Sequence, residues 1–173
     1  SALRSARALT RERPPLLTAL HARARARAPL CAFIARAKVD DEEGADAAAE
    51  GEVCAPANDN APGQVVLSGA MGAIDRAIEI AGERGIRRSV KLPVSAPFHC
   101  AMMSPAADVM EKSLGEVDIV RPLVPVMANV TAAPAENPDD IRSLLVEQVT
   151  SMVRWRECVL AMRDAGVDTL IEL

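Results

Sequence analysis

The residues best suited to chemistry lie in one short stretch, Leu92-Pro93-Val94-Ser95-Ala96-Pro97-Phe98-His99-Cys100, which holds one of the two histidines of the chain. A neutral imidazole takes up a proton near neutral pH and gives it back, the task of a general base that later acts as an acid. The two inner prolines, Pro93 and Pro97, fix φ and remove two backbone donors, which stiffens the segment. A core histidine beside a phenylalanine is the competing reading of the same residues. Cys100 is a second nucleophile candidate, but neighbours in sequence rarely face each other, so a Cys100–His99 couple is the weaker reading.

The elements around this stretch can be read from hydrophobic period. Arg88 to Leu92 reads as a strand before it and Met102 to Leu114 as a helix after it, with Met103, Ala106, Ala107 and Met110 at core spacing. A strand-to-helix junction projects side chains from a rigid frame, a common position for catalytic groups in α/β proteins. Upstream, Cys31 to Val39 suits a strand, and Asp40 to Glu50 a weak helix capped by Asp40 or Asp41. Glu52 to Ala55 is a short strand, residues 56–63 are a dense turn signal, and Gln64 to Ser68 is a strand, together a hairpin with a long loop. Ile74, Ala77, Ile78 and Ala81 mark one helical face that ends at Gly85. The order from Cys31 to Leu92 is βαββαβ, a ferredoxin-like split βαβ unit.

Downstream, Leu123 to Asn129 is an apolar run that suits a buried parallel strand, irregular at Pro125. Asn137-Pro138-Asp139-Asp140 caps a helix on which Ile141, Leu144, Leu145, Gln148 and Val149 share a face. Gln148 is a polar residue on that apolar stripe and must find a partner or cost about 1–3 kcal/mol. A further helix runs from about Arg154 to Ala165, and Val167 to Leu173 reads as a final buried strand. An α/β sheet that ends on an uncovered strand suggests part of a larger domain.

Composition narrows the function classes. Aromatic residues make up 2% of the 173 residues, too few for a base-stacking nucleic-acid platform, and no apolar run nears the about 20 residues of a membrane helix. Four scattered cysteines, Cys31, Cys54, Cys100 and Cys158, match neither a zinc site nor a disulfide scaffold and read as reduced, buried thiols of a cytoplasmic protein. Residues 1–30 carry seven arginines and one acidic side chain, against a net charge of −4 for the whole chain. They form an atypical Arg/Ala-rich segment: either a basic arm or a stretch altered by truncation or sequence error.

Three motifs together resemble the malonyl-CoA:acyl carrier protein transacylase family. They are Asn58-x-Asn60-x-Pro62-Gly63-Gln64-Val65-Val66-x-Ser68-Gly69, then Leu92 to His99, then Leu145-Val146-x-Gln148 followed by Arg154-Trp155. The Ala-Pro-Phe-His form favours the discrete bacterial enzyme over acyltransferase domains of polyketide synthases, which remain an alternative. The resemblance implies a large α/β-hydrolase-like acyltransferase domain with a ferredoxin-like subdomain inserted. Here residues 31–92 would be the insert and 93–173 a later part of the large domain. It implies malonyl transfer from coenzyme A to the phosphopantetheine thiol of acyl carrier protein in fatty acid biosynthesis, with malonyl-CoA and carrier protein as partners. Neither a cofactor nor a metal is implied. His99 would be the general base and Gln148 would orient it through its main-chain carbonyl. Asn58 and Asn60 would lie at the substrate edge of the insert.

The departures are as specific as the match. The family's nucleophilic serine sits in a G-x-S-x-G elbow, and no such motif occurs in these 173 residues. The family's malonate-binding arginine lies in a helix just before the insert, where this chain reads Arg11-Glu12-Arg13-Pro14-Pro15, so that role is not carried over. The expectation is a C-terminal-half fragment that is inactive alone. A non-catalytic remnant that binds carrier protein is a further alternative.

Overall fold

The computed structural model describes residues 30–35 (main chain), 47–48, 51–86 and 88–172. It has six strands and four α-helices among them. In chain order these are β1 (Leu30–Ala35), β2 (Cys54–Ala61), β3 (Gln64–Ala70), α1 (Met71–Glu83), β4 (Ser89–Leu92), α2 (Ser104–Gly115), β5 (Val126–Ala128), β6 (Ala133–Ala135), α3 (Pro138–Glu147) and α4 (Trp155–Asp164). The main sheet has the order β2-β3-β1-β4, and every neighbouring pair is antiparallel.

Alternation along β3 gives the sheet two apolar faces. On one, Leu67 packs in a buried cluster with Cys54 of β2, with Ala73, Ile74 and Ala77 of α1, and with Ala47. Leu67 and Ile74 are almost wholly removed from water, each worth about 1.5–3 kcal/mol of transfer free energy. On the opposite face Val66 and Ala57 pack under Leu92 and Val94, the lead-in to His99. Small alanines let α1 lie close to the sheet. The helix stops where Gly85 takes φ +80°, with Ile86 N–H donating to Ala81 C=O at 2.8 Å and Gly85 N–H to Gly82 C=O at 3.1 Å. That is the paired bond pattern of a glycine-terminated helix. α4 ends in the same way at Gly166.

Several expectations need correction. The long loop over 56–63 is not a loop. β2 runs on to Ala61, and the reversal is Pro62-Gly63, with Gly63 at φ +73°. Pro at the second and Gly at the third turn position is the pattern of a type II turn. Two bulges skip Ala57 and Asn60, while Asn58 and Asp59, which read as turn formers, pair with Val66 and Val65. β2 is an edge strand of the sheet, which is why Pro56 is tolerated there.

The run Leu123 to Asn129 is not a buried parallel strand. Its three-residue core, β5, pairs antiparallel with β6 in a separate two-stranded sheet, and Leu123 is fully exposed. The final segment forms no strand through residue 172, with Leu170 and Ile171 exposed. Neither segment has a neighbouring parallel strand among the described residues, so nothing there can complete its ladder. Residues 101–103 form a 3-10 turn and α2 begins at Ser104, not Met102; its Ala106, Ala107 and Met110 are half-buried rather than core. α3 ends at Glu147, which puts Gln148 at the helix cap, and Leu145 is exposed. Asn137 caps α3 as expected, accepting from Asp139 N–H at 2.8 Å. The Arg/Ala-rich segment and nearly all of the helix expected over Asp40 to Glu50 lie outside the described residues. No helix among the described residues is long and apolar enough to cross a membrane.

Candidate active site

The stretch after β4 bends twice before α2. Val94 N–H donates back to Leu92 C=O at 2.9 Å, and the Cys100 thiol donates to Pro97 C=O at 3.2 Å. Between them His99 sits at φ +59°. A left-handed backbone at a residue other than glycine costs on the order of 1–3 kcal/mol and persists where its surroundings hold it. The twist leaves His99 half-buried while Phe98 stays exposed and Cys100 turns into the core.

The histidine faces the end of α3. Its Nδ1 lies 3.2 Å from the main-chain oxygen of Gln148 and 3.3 Å from the Gln148 side-chain nitrogen. Each neighbour supports a different neutral ring. With a proton on Nδ1, the ring donates to the carbonyl and leaves the Nε2 lone pair free. With the proton on Nε2, Nδ1 accepts from the amide.

Gln148 thus finds the partners its place on an apolar stripe demanded. Its side-chain oxygen accepts from Asn129 Nδ2 at 2.7 Å. Asn129 also donates to Met152 C=O at 3.1 Å, and its own oxygen accepts the Arg154 N–H at 2.8 Å. Arg154 Nη1 donates to Val130 C=O at 2.9 Å, and its guanidinium pairs with Glu157. One amide therefore joins the end of α3, the loop after it and the start of α4. The sequence reading missed Asn129. The available signal was an amide closing an apolar run, which needs partners as Gln148 does.

The edge strand β2 joins the same loop. Asp59 N–H donates to Val153 C=O and Val153 N–H to Ala57 C=O, both at 2.8 Å, and Arg156 of α4 holds Asp59 through two guanidinium nitrogens at 2.5–3.0 Å. Asn58 is bridged to Val153 by this pairing, and Asn60 is the bulged residue two positions on. The structure thus brings His99 and Gln148 into contact and ties Asn58 to the loop that follows Gln148. Asn60 is not brought to His99 by any bond among the described residues.

Cys100 does not make a nucleophile here. It is buried, and burial pushes its thiol above the ordinary range. Cys54 is pushed up to about 11, first by burial and then by Cys100, and Cys158 is raised by burial too. All three are free thiols.

No protein-family model matches the chain. Among curated proteins, the malonyl CoA-acyl carrier protein transacylase of Escherichia coli K12 is 43% identical over 126 residues, 73% of this chain and 41% of its own length. That of Bacillus subtilis is 40% identical over 124 residues, 72% of this chain and 39% of its own. Among solved structures, an acyl carrier protein S-malonyltransferase from Vibrio cholerae superposes with a TM-score of 0.79 at 42% identity, covering 88% of this chain and 50% of that one. A malonyl-transacylase solved with the acyl carrier protein of a type II polyketide synthase gives a TM-score of 0.80 at 32% identity, over 86% of this chain and 49% of that one.

The fold class is therefore α/β, shared with malonyltransferase structures over the matched residues. Over the residues it shares with these proteins, the chain is similar to the malonyl CoA-acyl carrier protein transacylases. It spans about 41% of the length of the first curated relatives it matches.

Proposed function

We propose that this chain carries the histidine side of a malonyl-transfer site. In this reading malonyl passes from coenzyme A to a serine, then to the phosphopantetheine thiol of acyl carrier protein, in fatty acid biosynthesis. An alkyl hydroxyl is a weak nucleophile at neutral pH, so the serine needs a base within hydrogen-bond reach. His99 is that base. Its Nδ1–H donates to the Gln148 carbonyl, its Nε2 takes the serine proton, and the same proton later goes to the departing thiolate. The main-chain carbonyl does the orienting work that a carboxylate does in other triads. The observation that carries the reading is the 3.2 Å approach of Nδ1 to Gln148 O from a strained His99.

The serine comes from a G-x-S-x-G segment outside these 173 residues. Asn58 and Asn60 flank the acyl or pantetheine path from the bulged edge of β2. Residues 31–92 are a ferredoxin-like insert, supported by the strand order β2-β3-β1-β4 with all pairs antiparallel. Residues 93–173 are part of a larger α/β-hydrolase-like domain, whose remaining strands cover exposed apolar residues such as Leu123, Leu170 and Ile171. No metal or cofactor enters this reading, and its setting is the cytoplasm. A polyketide pathway is the second reading, because a polyketide biosynthesis protein of Burkholderia thailandensis, ThaF, is 39% identical over 117 residues, 68% of this chain and 10% of its own length.

A chimera tests the proposal. Residues 30–173 replace the aligned part of the E. coli relative, which keeps its own serine segment. Incubated with malonyl-CoA, the chimera gains one malonyl unit by intact mass, and His99→Ala slows that gain by about 10²–10⁴-fold. A folded chimera that acylates equally fast without His99 refutes the assignment. The 173-residue chain alone gains no malonyl; a His99-dependent gain there would place the nucleophile within it.

A further inference from the structure

The orientation of the Gln148 amide is decided by a chain of bonds that admits one solution. A backbone N–H can only donate, so the Asn129 atom facing Arg154 N at 2.8 Å is its oxygen. A backbone carbonyl can only accept, so the Asn129 atom 3.1 Å from Met152 O is its nitrogen. That nitrogen also lies 2.7 Å from the Gln148 side chain, which must therefore present its oxygen to Asn129. The Gln148 NH2 group is left facing His99 Nδ1 at 3.3 Å, in competition with the carbonyl at 3.2 Å.

We propose that Asn129 is a positioning residue that sets which nitrogen of neutral His99 carries the proton, by locking the Gln148 amide with its donor toward Nδ1. A carbonyl alone would hold the proton on Nδ1. The locked amide offers Nδ1 a hydrogen bond that exists when the proton is on Nε2, so both tautomers are populated. Only the Nδ1–H form has a free lone pair at Nε2, so this balance sets what share of the neutral rings can take a proton there. The inference rests on the reading of His99 as the transfer base, but its measurement does not.

The test is 15N NMR of the histidine rings in the full chain at pH 9. The chain has two histidines, and a His21→Gln variant assigns them. Asn129→Leu keeps the volume and removes the lock. The freed amide can then turn its oxygen to the ring, and the His99 signals move toward the Nδ1–H form. Gln148→Leu keeps the carbonyl and removes the amide, and gives the same move. In the double variant Asn129→Leu adds nothing to Gln148→Leu, because its effect passes through the amide.

The proposal is overturned if Asn129→Leu leaves the ring signals as they are, or if its effect persists in the Gln148→Leu background. It is also overturned if the Asn129 side-chain NH2 of the unaltered chain exchanges with solvent as fast as a free amide, a measurement that requires no variant. An unaltered chain with the proton wholly on Nε2, moved to Nδ1 by Asn129→Leu, supports the lock and instead refutes the carbonyl-oriented base. A ring wholly Nδ1–H in both forms does the reverse.

Discussion

Glycine 69 lies in the first of the three motifs, and its place in the sheet says why. It sits on β3 opposite Cys54 of β2. A Cβ built there would stand 1.9 Å from the Val53 carbonyl oxygen and 2.9 Å from Cys54 Cα, both backbone atoms. Ordinary carbon–oxygen contact needs more than a further ångström, so Gly69→Ala must part β2 from β3 at this point. That breaks the Ala70 N–H bond to Val53 C=O, 2.8 Å long, beside a core of Leu67 and Cys54. Overpacking of this kind costs about 1–3 kcal/mol, and a broken buried hydrogen bond about 1 kcal/mol more.

The expected loss is about 2–4 kcal/mol, or roughly 5–15 °C in Tm for a chain of this size. The same substitution at Gly82 in α1 meets nothing within 4 Å. Gly82→Ala replaces glycine in an exposed helix and should stabilise by about 0.5–1 kcal/mol. Thermal unfolding followed by circular dichroism, with hydrogen exchange read at Ala70, compares the two. Equal Tm values for Gly69→Ala and the unaltered chain would refute the close-approach argument, and with it the account of why the motif carries glycine.

Three further outcomes can be measured on the same protein. At pH 8 the thiolate share of Cys54 should be about a hundredfold below that of a thiol with the ordinary value of 9.0, since burial raises it to about 11; site-resolved alkylation should show Cys54, Cys100 and Cys158 reacting slowly when folded and fast in denaturant. The Arg154 hydrogen bond holds the Glu157 carboxyl below its ordinary 4.5, so the pair's contribution is present above that value and lost as pH falls through the lower, folded-state value. The pair is about one-third exposed, so Glu157→Gln should cost at most about 1 kcal/mol at pH 7 and nothing at low pH, by urea unfolding at both. Arg156→Ala should speed amide exchange at Asp59 and Val153 while leaving the β1–β3 pairing protected; uniform loss of protection would mean that this ion pair is not a local clamp.

Much of the local structure was legible because it depends on neighbours in sequence. The α1 face, its glycine stop and the Asn137 cap follow from period and backbone chemistry within a few residues. His99 stood out because it is one of only two histidines and follows a proline-stiffened segment, and Gln148 because a polar group on an apolar stripe needs a partner. The misreadings share one cause. Residues 56–61 read as a turn because Pro, Asn and Asp favour turns, but pairing with β3 through two bulges overrides that preference. Leu123 to Asn129 and Val167 to Leu173 read as buried strands because apolar runs are assumed to have a sheet to enter.

Alone, then, the sequence determined the candidate base, the strand–helix–strand run from Gln64 to Leu92 and the family it resembles, since these are written in residue types and spacings. Tertiary structure decided what holds the base. The left-handed turn at His99, the carbonyl 3.2 Å from Nδ1 and the Asn129 link bring together residues 19 to 49 positions apart. Hydrogen bonds over such separations depend on where the chain returns in space, and no local preference records that.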